Sequence, residues 1–221
     1  MRILVTGANG FLGNYLIPEL LKRKYEVIAT GKGKCRIKVT DTFVYEEMDF
    51  TNVQSVNHVF STYKPEVIVH AGAISKPDEC EENRELAFDI NTQGTINLLK
   101  AAIPLNSFFI FISTDFVFDG LKGMYNEKDS PTPVNYYGQT KLLAEEKVKE
   151  YVGEWCIVRT VLVYGRPQMG RENLLTLVKK KNENGEVFKV FTDQLRTPTY
   201  VEDLASAIVS IIDNKQAAIK I

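Results

Sequence analysis

Short runs of β-branched and aromatic residues alternate along the chain with longer segments whose apolar positions recur every three or four residues. The short runs predict strands near 2–6, 25–30, 43–47, 67–71, 108–113 and 155–160. The longer segments predict helices near 11–23, 52–63, 82–103 and 136–151. That alternation marks βαβ units around a parallel sheet. The runs 67–70 and 108–112 are apolar without alternation, the pattern of central strands covered on both faces. The expected fold class is therefore α/β, a Rossmann-like doubly wound parallel sheet.

Beyond Tyr164 the pattern loosens. A loop over 166–170, a basic amphipathic helix over 171–183, a strand over 186–191 and a helix over 200–213 are expected. The last residues before Ile221 read as the opening of another strand with no closing helix, so the chain is expected to be truncated or incompletely represented. The division expected is a dinucleotide-binding domain over 1–165 and a substrate-binding region over 166–221. The latter is interleaved with the last sheet elements and incomplete at its C-terminus. The segment 119–135, with Gly120, Gly123, Pro131 and Pro133, is a long connection of the kind that often carries function.

Composition narrows the classes. With 27 basic and 28 acidic residues among 221, the net charge of −1 provides no global field for nucleic acid or an anionic membrane. Any phosphate recognition must be local. No run approaches the length of a membrane span, and the strand-like Ile3–Val5 run leaves no room for a signal peptide, so a cytoplasmic protein is expected. Three cysteines (Cys35, Cys80, Cys156) far apart, with only His58 and His70 beside them, argue against both a disulfide framework and a metal site.

Four constellations carry chemistry. Gly7, Gly10 and Gly13 lie between the first strand and the first helix, with Asn9, Phe11 and Leu12 among them. Glycines permit a tight turn and close approach to a pyrophosphate, and the helix N-terminus supplies free N–H groups. A plain strand-to-helix turn does not call for three glycines at this spacing. At the end of the second strand stand Gly31, Lys32, Lys34 and Arg36, with no acid among them. A carboxylate there suits NAD and a cation suits the 2′-phosphate of NADP, so NADP(H) is preferred and NAD(H) remains open. A solvated basic loop is the other reading of the same cations.

Third, Tyr137 and Lys141 are one helical turn apart, where the cation is expected to draw the phenol toward neutrality and make it a general acid. Tyr-x-x-x-Lys recurs by chance in helices; its place after the fifth strand gives it weight. Fourth, Ser113, Thr114 and Asp115 leave the carboxyl end of a central strand, where such folds place ligands. A hydroxyl there can donate to a substrate carbonyl, or simply cap the turn.

These residues together resemble the extended branch of the short-chain dehydrogenase/reductase family, and within it the dTDP-4-dehydrorhamnose reductases. The matching signatures span nearly the whole chain: the 6–13 loop, Asp49 to Thr51, His70 to Ala73, Asn91, the 113–120 run, Tyr137 with Lys141, Arg159-Thr160, and 193–199 ahead of 201–205. The resemblance implies that Tyr137 protonates the substrate oxygen, Lys141 holds the nicotinamide ribose, and Thr114, with Ser113 beside it, hydrogen-bonds the carbonyl. Asp49 and Phe50 then lie near the adenine, and His70, Ala71, Gly72 and Ala73 line the cofactor. Asp115, Asn173, Gln194 and Arg196 contact the nucleotide-sugar. Val161 and Leu162, where the reductases carry an aromatic residue, and Arg196, where they carry a small one, depart from the pattern on the substrate side.

The resemblance implies an NAD(P)-dependent oxidoreductase that reduces a 4-keto group on a nucleotide-activated deoxysugar, as in dTDP-rhamnose biosynthesis. Two alternatives stay open. One is a nucleotide-sugar epimerase or dehydratase, against which stands Phe116 where dehydratases carry a second carboxylate. The other is a non-catalytic NADP-binding regulatory subunit, like the β subunit of a methionine adenosyltransferase. The family's four-helix interface implies a homodimer through 82–103 and 136–151, although Leu86, Ile90, Leu98, Leu99, Leu142, Leu143 and Val148 serve equally for packing on the sheet. His70 and Trp155 read as packed residues, and Glu127 and Asp129 as loop caps.

Overall fold

The computed structural model describes residues 1–38, 42–167 and 173–215. Six strands, β1 (Arg2–Thr6), β2 (Glu26–Gly31), β3 (Val44–Glu47), β4 (Val67–His70), β5 (Phe108–Thr114) and β6 (Trp155–Thr160), form one sheet in the order β3-β2-β1-β4-β5-β6. Every pairing in it is parallel. The chain steps outward from β1 to β3, then returns to the other side of β1 as β4. The crevice beyond the carboxyl ends of β1 and β4 is thus the switch point at which such sheets bind ligands.

Successive side chains point to opposite faces of the sheet, and both faces are dry. Ile3, Val5, Val67, Val69, Phe108 and Ile110 pack with α1 (Gly13–Lys22) and α8 (Val201–Asp213) on one side. Leu4, Ile68, Phe109 and Phe111 pack on the other with α2 (Val53–Tyr63), α5 (Gly94–Ala102) and α6 (Tyr136–Lys149). The unbroken apolar runs of β4 and β5 are what this double burial requires. Asn52 caps α2 by accepting from Ser55 N at 2.9 Å, and Asn135 caps α6 by accepting from Gly138 N at 2.8 Å.

Two expectations need correction. The helix expected over 82–103 is a relay of α3 (Pro77–Glu82), α4 (Arg84–Phe88), a π-turn (Asp89–Gln93) and α5. Asn83, at φ −129° and ψ 62°, breaks the first joint, and the wide turn lets the Asn91 side chain leave the helix for a neighbouring loop. The strand expected over 186–191 is absent: Val187, Val190 and Phe191 are exposed and no strand lies alongside among the described residues. The helix expected over 171–183 is α7 (Leu174–Glu183), and a small parallel pair unforeseen in the pattern joins β7 (Val163–Tyr164) to β8 (Thr199–Tyr200). Parts of the expected 166–170 loop and the strand opening near Ile221 lie outside the described residues. No helix among the described residues is long and apolar enough to cross a membrane.

Candidate functional site

The glycine loop is built so closely that side chains do not fit. Gly7 has φ +68°, and a Cβ on it would stand 2.7 Å from Gly72 N and 2.8 Å from the Ala71 carbonyl. On Gly13 it would lie 2.3 Å from Ala8 O, and on Gly10 2.8 Å from Gly7 O. The first strand-to-helix turn is thus pressed against the segment after β4. No side chain caps α1, leaving its N-terminus open toward the crevice. Asn14 donates Nδ2 to Gly10 O at 2.7 Å, and its Oδ1 is the one buried side-chain polar atom without a partner among the described residues. A cradle of bare backbone, an open helix end and an orphan acceptor fit a dinucleotide diphosphate with its ordered water.

Asn9 ties this loop to the cationic one. Its Oδ1 accepts from Arg36 N at 2.8 Å, and its Nδ2 donates to Lys34 O at 3.1 Å and Tyr45 Oη at 2.8 Å. Tyr45 in turn donates to Gly33 O at 2.6 Å. The loop is less purely cationic than its own sequence: Lys32 pairs with Asp49 at 2.7 Å, and Glu47 accepts from Gly33 N at 3.0 Å. Burial pushes the Asp49 carboxyl up, and hydrogen bonds from Lys32 and Thr51 outweigh it and hold it below its usual range. Lys34 and Arg36 are exposed and have no ion pair among the described residues. Phe50 is wedged under the neighbouring segment, 2.6 Å from where a Cβ on Gly72 would stand and 2.4 Å from one on Gly94.

His70 is wholly buried at the end of β4. Thr95 donates its hydroxyl to Asn91 O at 2.7 Å, so it can only accept from His70 Nε2 at 3.0 Å. Nδ1 is left as the acceptor for Thr6 Oγ1 at 2.6 Å, and Thr6 Oγ1 accepts from Gly72 N at 3.4 Å. Burial, then the nearby Lys141 cation, hold the imidazole neutral, which this chain of donors requires. Its work is to seat Gly72 against Gly7.

The residues expected to react come together where β5 meets α6. A Cβ on Gly138 would fall 2.1 Å from Phe116 O, so glycine lets the first turn of α6 press on the short helix Asp115–Val117. Tyr137, 7% exposed, packs edge-on against Phe116 with ring centroids 5.7 Å apart. Burial pushes its phenol up to about 12 against a hydrogen bond with Thr114. Lys141, 2% exposed, donates to Ile112 O at 2.8 Å and lies 3.9 Å over the Phe111 ring. Burial pulls its ammonium down to about 7, with Glu145 opposing. The expectation of a phenol tuned toward neutrality by Lys141 is therefore reversed in the bare protein: desolvation dominates both groups. Thr114 donates to Asp115 Oδ1 at 3.2 Å. Burial raises the Asp115 carboxyl, with Thr114 and Arg196 pulling the other way.

Ser113 does not join Thr114. Its hydroxyl donates to Glu145 Oε1 at 2.6 Å, inside an ion pair that Arg159 completes through Nε at 2.9 Å and Nη2 at 2.6 Å. Glu145 has no solvent exposure. Sequence reasoning passed over it, although a Glu two turns beyond Tyr137 on a helix face that also carries Lys141 was a visible signal. Arg159 also lies 5.0 Å over the Phe118 ring, which stacks on Tyr125 at 4.3 Å in the 119–135 connection.

Of the residues expected to contact substrate, Arg196 stands 5.4 Å over Phe116 and donates from Nε and Nη2 to Gln194 Oε1 at 3.2 and 2.9 Å. Arg196 thus lies by Asp115 and Phe116, the latter packed on Tyr137. Asn173 is engaged elsewhere: Oδ1 accepts from Thr176 N at 3.0 Å as the cap of α7, and Nδ2 reaches Gly165 O at 2.5 Å. Asp129 accepts from Asn126 N at 2.8 Å, as a loop cap should. Of the residues weighed for a dimer face, Leu98, Leu99 and Val148 are buried, while Leu86 and Leu143 are exposed.

Residues 1–221 match the family described as RmlD substrate binding domain. Methionine adenosyltransferase 2 subunit beta of Bos taurus is 31% identical over 215 residues, which cover 97% of this chain and 63% of that protein. The chain thus spans less than two thirds of that relative's length. The spore coat polysaccharide biosynthesis protein SpsK of Bacillus subtilis (strain 168) is 33% identical, covering 96% of this chain and 70% of the relative. A solved dTDP-4-dehydrorhamnose reductase from Bacillus anthracis str. Ames, in complex with NADP, superposes at a TM-score of 0.83 with 32% identity, over 96% of this chain and 70% of that one. Because that match takes in every residue and the six-stranded parallel sheet is common to the solved relative, the chain belongs to the RmlD substrate binding domain family, within the extended short-chain dehydrogenase/reductases.

Proposed function

We propose that the chain binds NADP(H) in the crevice between Gly7 and Gly72 and reduces a 4-keto group on a nucleotide-activated deoxysugar. The observation that carries this reading is the junction of β5 and α6, where the Tyr137 phenol meets Thr114 with Lys141 one turn below it. Bound there, the nicotinamide supplies a hydride to the ketone carbon. Tyr137, protonated at neutral pH, gives its proton to the oxygen on which charge develops, and Thr114 donates a hydrogen bond to the same oxygen. Lys141, when charged, steadies the phenolate left behind. Lys34 and Arg36 suit a 2′-phosphate, and the NADP in the Bacillus anthracis relative supports that preference, with NAD(H) as the lesser cofactor.

The region from residue 166 onward supplies the sugar side, where Arg196 and Gln194 suit a diphosphate. Phe116, packed on Tyr137, stands where a dehydratase would need its second carboxylate, which argues against that chemistry. A second reading, a non-catalytic NADP-binding subunit, is favoured by the 31% identity to a methionine adenosyltransferase β subunit.

The test is NADPH oxidation, with NADH in parallel, in the presence of dTDP-4-keto-6-deoxy-L-mannose and with Tyr137→Phe as control. Turnover that falls by about 10²-fold or more in the variant is the expected result. Tight NADPH binding without turnover on any keto-sugar nucleotide would favour the regulatory reading.

A further inference from the structure

Glu145 occupies the third place in a row that begins with Tyr137 and Lys141, successive turns of one face of α6. Its carboxylate is fully buried and takes three hydrogen bonds: one from Ser113, near the end of β5, and two from Arg159, in β6. The neighbouring residues on β5 are Ile112, whose carbonyl holds Lys141, and Thr114, which meets Tyr137. One side chain therefore fixes the helix with the phenol and ammonium against the strand that carries the hydroxyl. A buried ion pair adds little stability over an apolar pair of the same size, so registry is the better account of its presence here.

We propose that Glu145 is a positioning residue of the site, registering the Tyr137–Lys141 face of α6 on β5 and β6 and acting as the counter-ion of Lys141. The groups that face Lys141 are few. Ile112 O and the Phe111 ring come from β5, neutral His70 from β4, and Glu145 from its own helix; Arg159 stands behind Glu145. Glu145 is the anion among them. The catalytic part of this inference rests on the reading given under Proposed function; the electrostatic part does not.

The experiment is a pH titration of Lys141 by NMR in the cofactor-free chain, labelled with [ε-13C]lysine and assigned through Lys141→Met. In Glu145→Gln the midpoint is expected to fall by about one pH unit. Glu145→Gln/Arg159→Met, which does not leave Arg159 without its carboxylate, is expected to shift it the same way. The basic limb of kcat should move down with it, while KM for NADPH stays within about twofold. Midpoints within about 0.2 unit of the parent in both variants would overturn the proposal and leave Glu145 as packing. Absence of turnover in the parent would count against the reductase reading alone, since the titration decides the role of Glu145 without it.

Discussion

Asn91 holds Ile74 by both ends of its carboxamide: Ile74 N donates to Oδ1 at 2.9 Å, and Nδ2 donates to Ile74 O at 3.0 Å. Nδ2 also reaches Thr140 Oγ1 at 3.0 Å, so one residue of the π-turn joins the loop after β4 to the helix carrying Tyr137. Truncation leaves several partly buried groups unpaired. Asn91→Ala is expected to lower stability by about 3 kcal/mol and to weaken NADPH binding, because the freed segment lines the crevice. Urea unfolding and a fluorescence titration with NADPH measure the two effects.

The phenol and the ammonium divide the pH dependence between them. Tyr137, pushed up to about 12, keeps its proton throughout the working range, whereas Lys141, pulled down to about 7, does not. Reductive kcat should therefore fall as pH rises through about 7, and Lys141→Met should flatten that limb at a low rate. Tyr137→Phe should cost about 10²- to 10⁴-fold in kcat and leave NADPH affinity nearly unchanged. A rate independent of pH between 6 and 9 would remove the Lys141 charge from the mechanism.

Lys141 also sets a pH dependence of folding. Below about pH 7 it is charged in both states, and the folded chain bears the desolvation cost. Between about 7 and its ordinary value of 10.5 only the unfolded chain keeps the proton, so stability rises with pH across that window. The swing is on the order of 5 kcal/mol. Lys141→Met should be the more stable protein at pH 7, with the difference shrinking toward pH 10, as urea unfolding of both proteins at several pH values will show.

Two glycines with nearly the same backbone angle should respond differently to alanine. Gly7 (φ +68°) meets main chain on the facing segment, which no rotamer change relieves, whereas Gly33 (φ +71°) faces open space. Gly33→Ala should cost about 1 kcal/mol, the ordinary strain of a left-handed residue. Gly7→Ala should cost several times as much or abolish NADPH binding. Thermal unfolding with and without NADPH separates them.

What could be read in the chain beforehand follows from how local the causes are. Strands β4 and β5, the turn glycines and the Tyr137/Lys141 spacing announce themselves because burial on two faces, a left-handed turn and a helical period each leave a mark on neighbouring residues. The π-turn at Asp89–Gln93 exists because Asn91 finds a partner at Ile74, across a distance in sequence that periodicity does not see. Ser113 reads as a substrate ligand until Glu145 and Arg159 are brought to it by the packing of α6 on the sheet. Asn173 carries the ordinary signal of a helix cap, and the structure uses it as one. The segment 186–191 has the composition of a strand, yet composition cannot provide a neighbour to pair with.

The short β7–β8 pair has a meaning beyond its two rungs. Val163 and Tyr164 lie against Thr199 and Tyr200, Thr199 N donates to Leu162 O at 2.9 Å, and the two tyrosine rings stand 5.4 Å apart. The described residues between Tyr164 and Thr199 thereby belong to a cassette whose two ends meet at this neck. Arg196 and Gln194 sit inside that cassette, while Tyr137 and Lys141 sit outside it. If Arg196 and Gln194 choose the sugar as proposed, they can diverge, or be exchanged between relatives, without disturbing the register of the strands and helix that hold Tyr137.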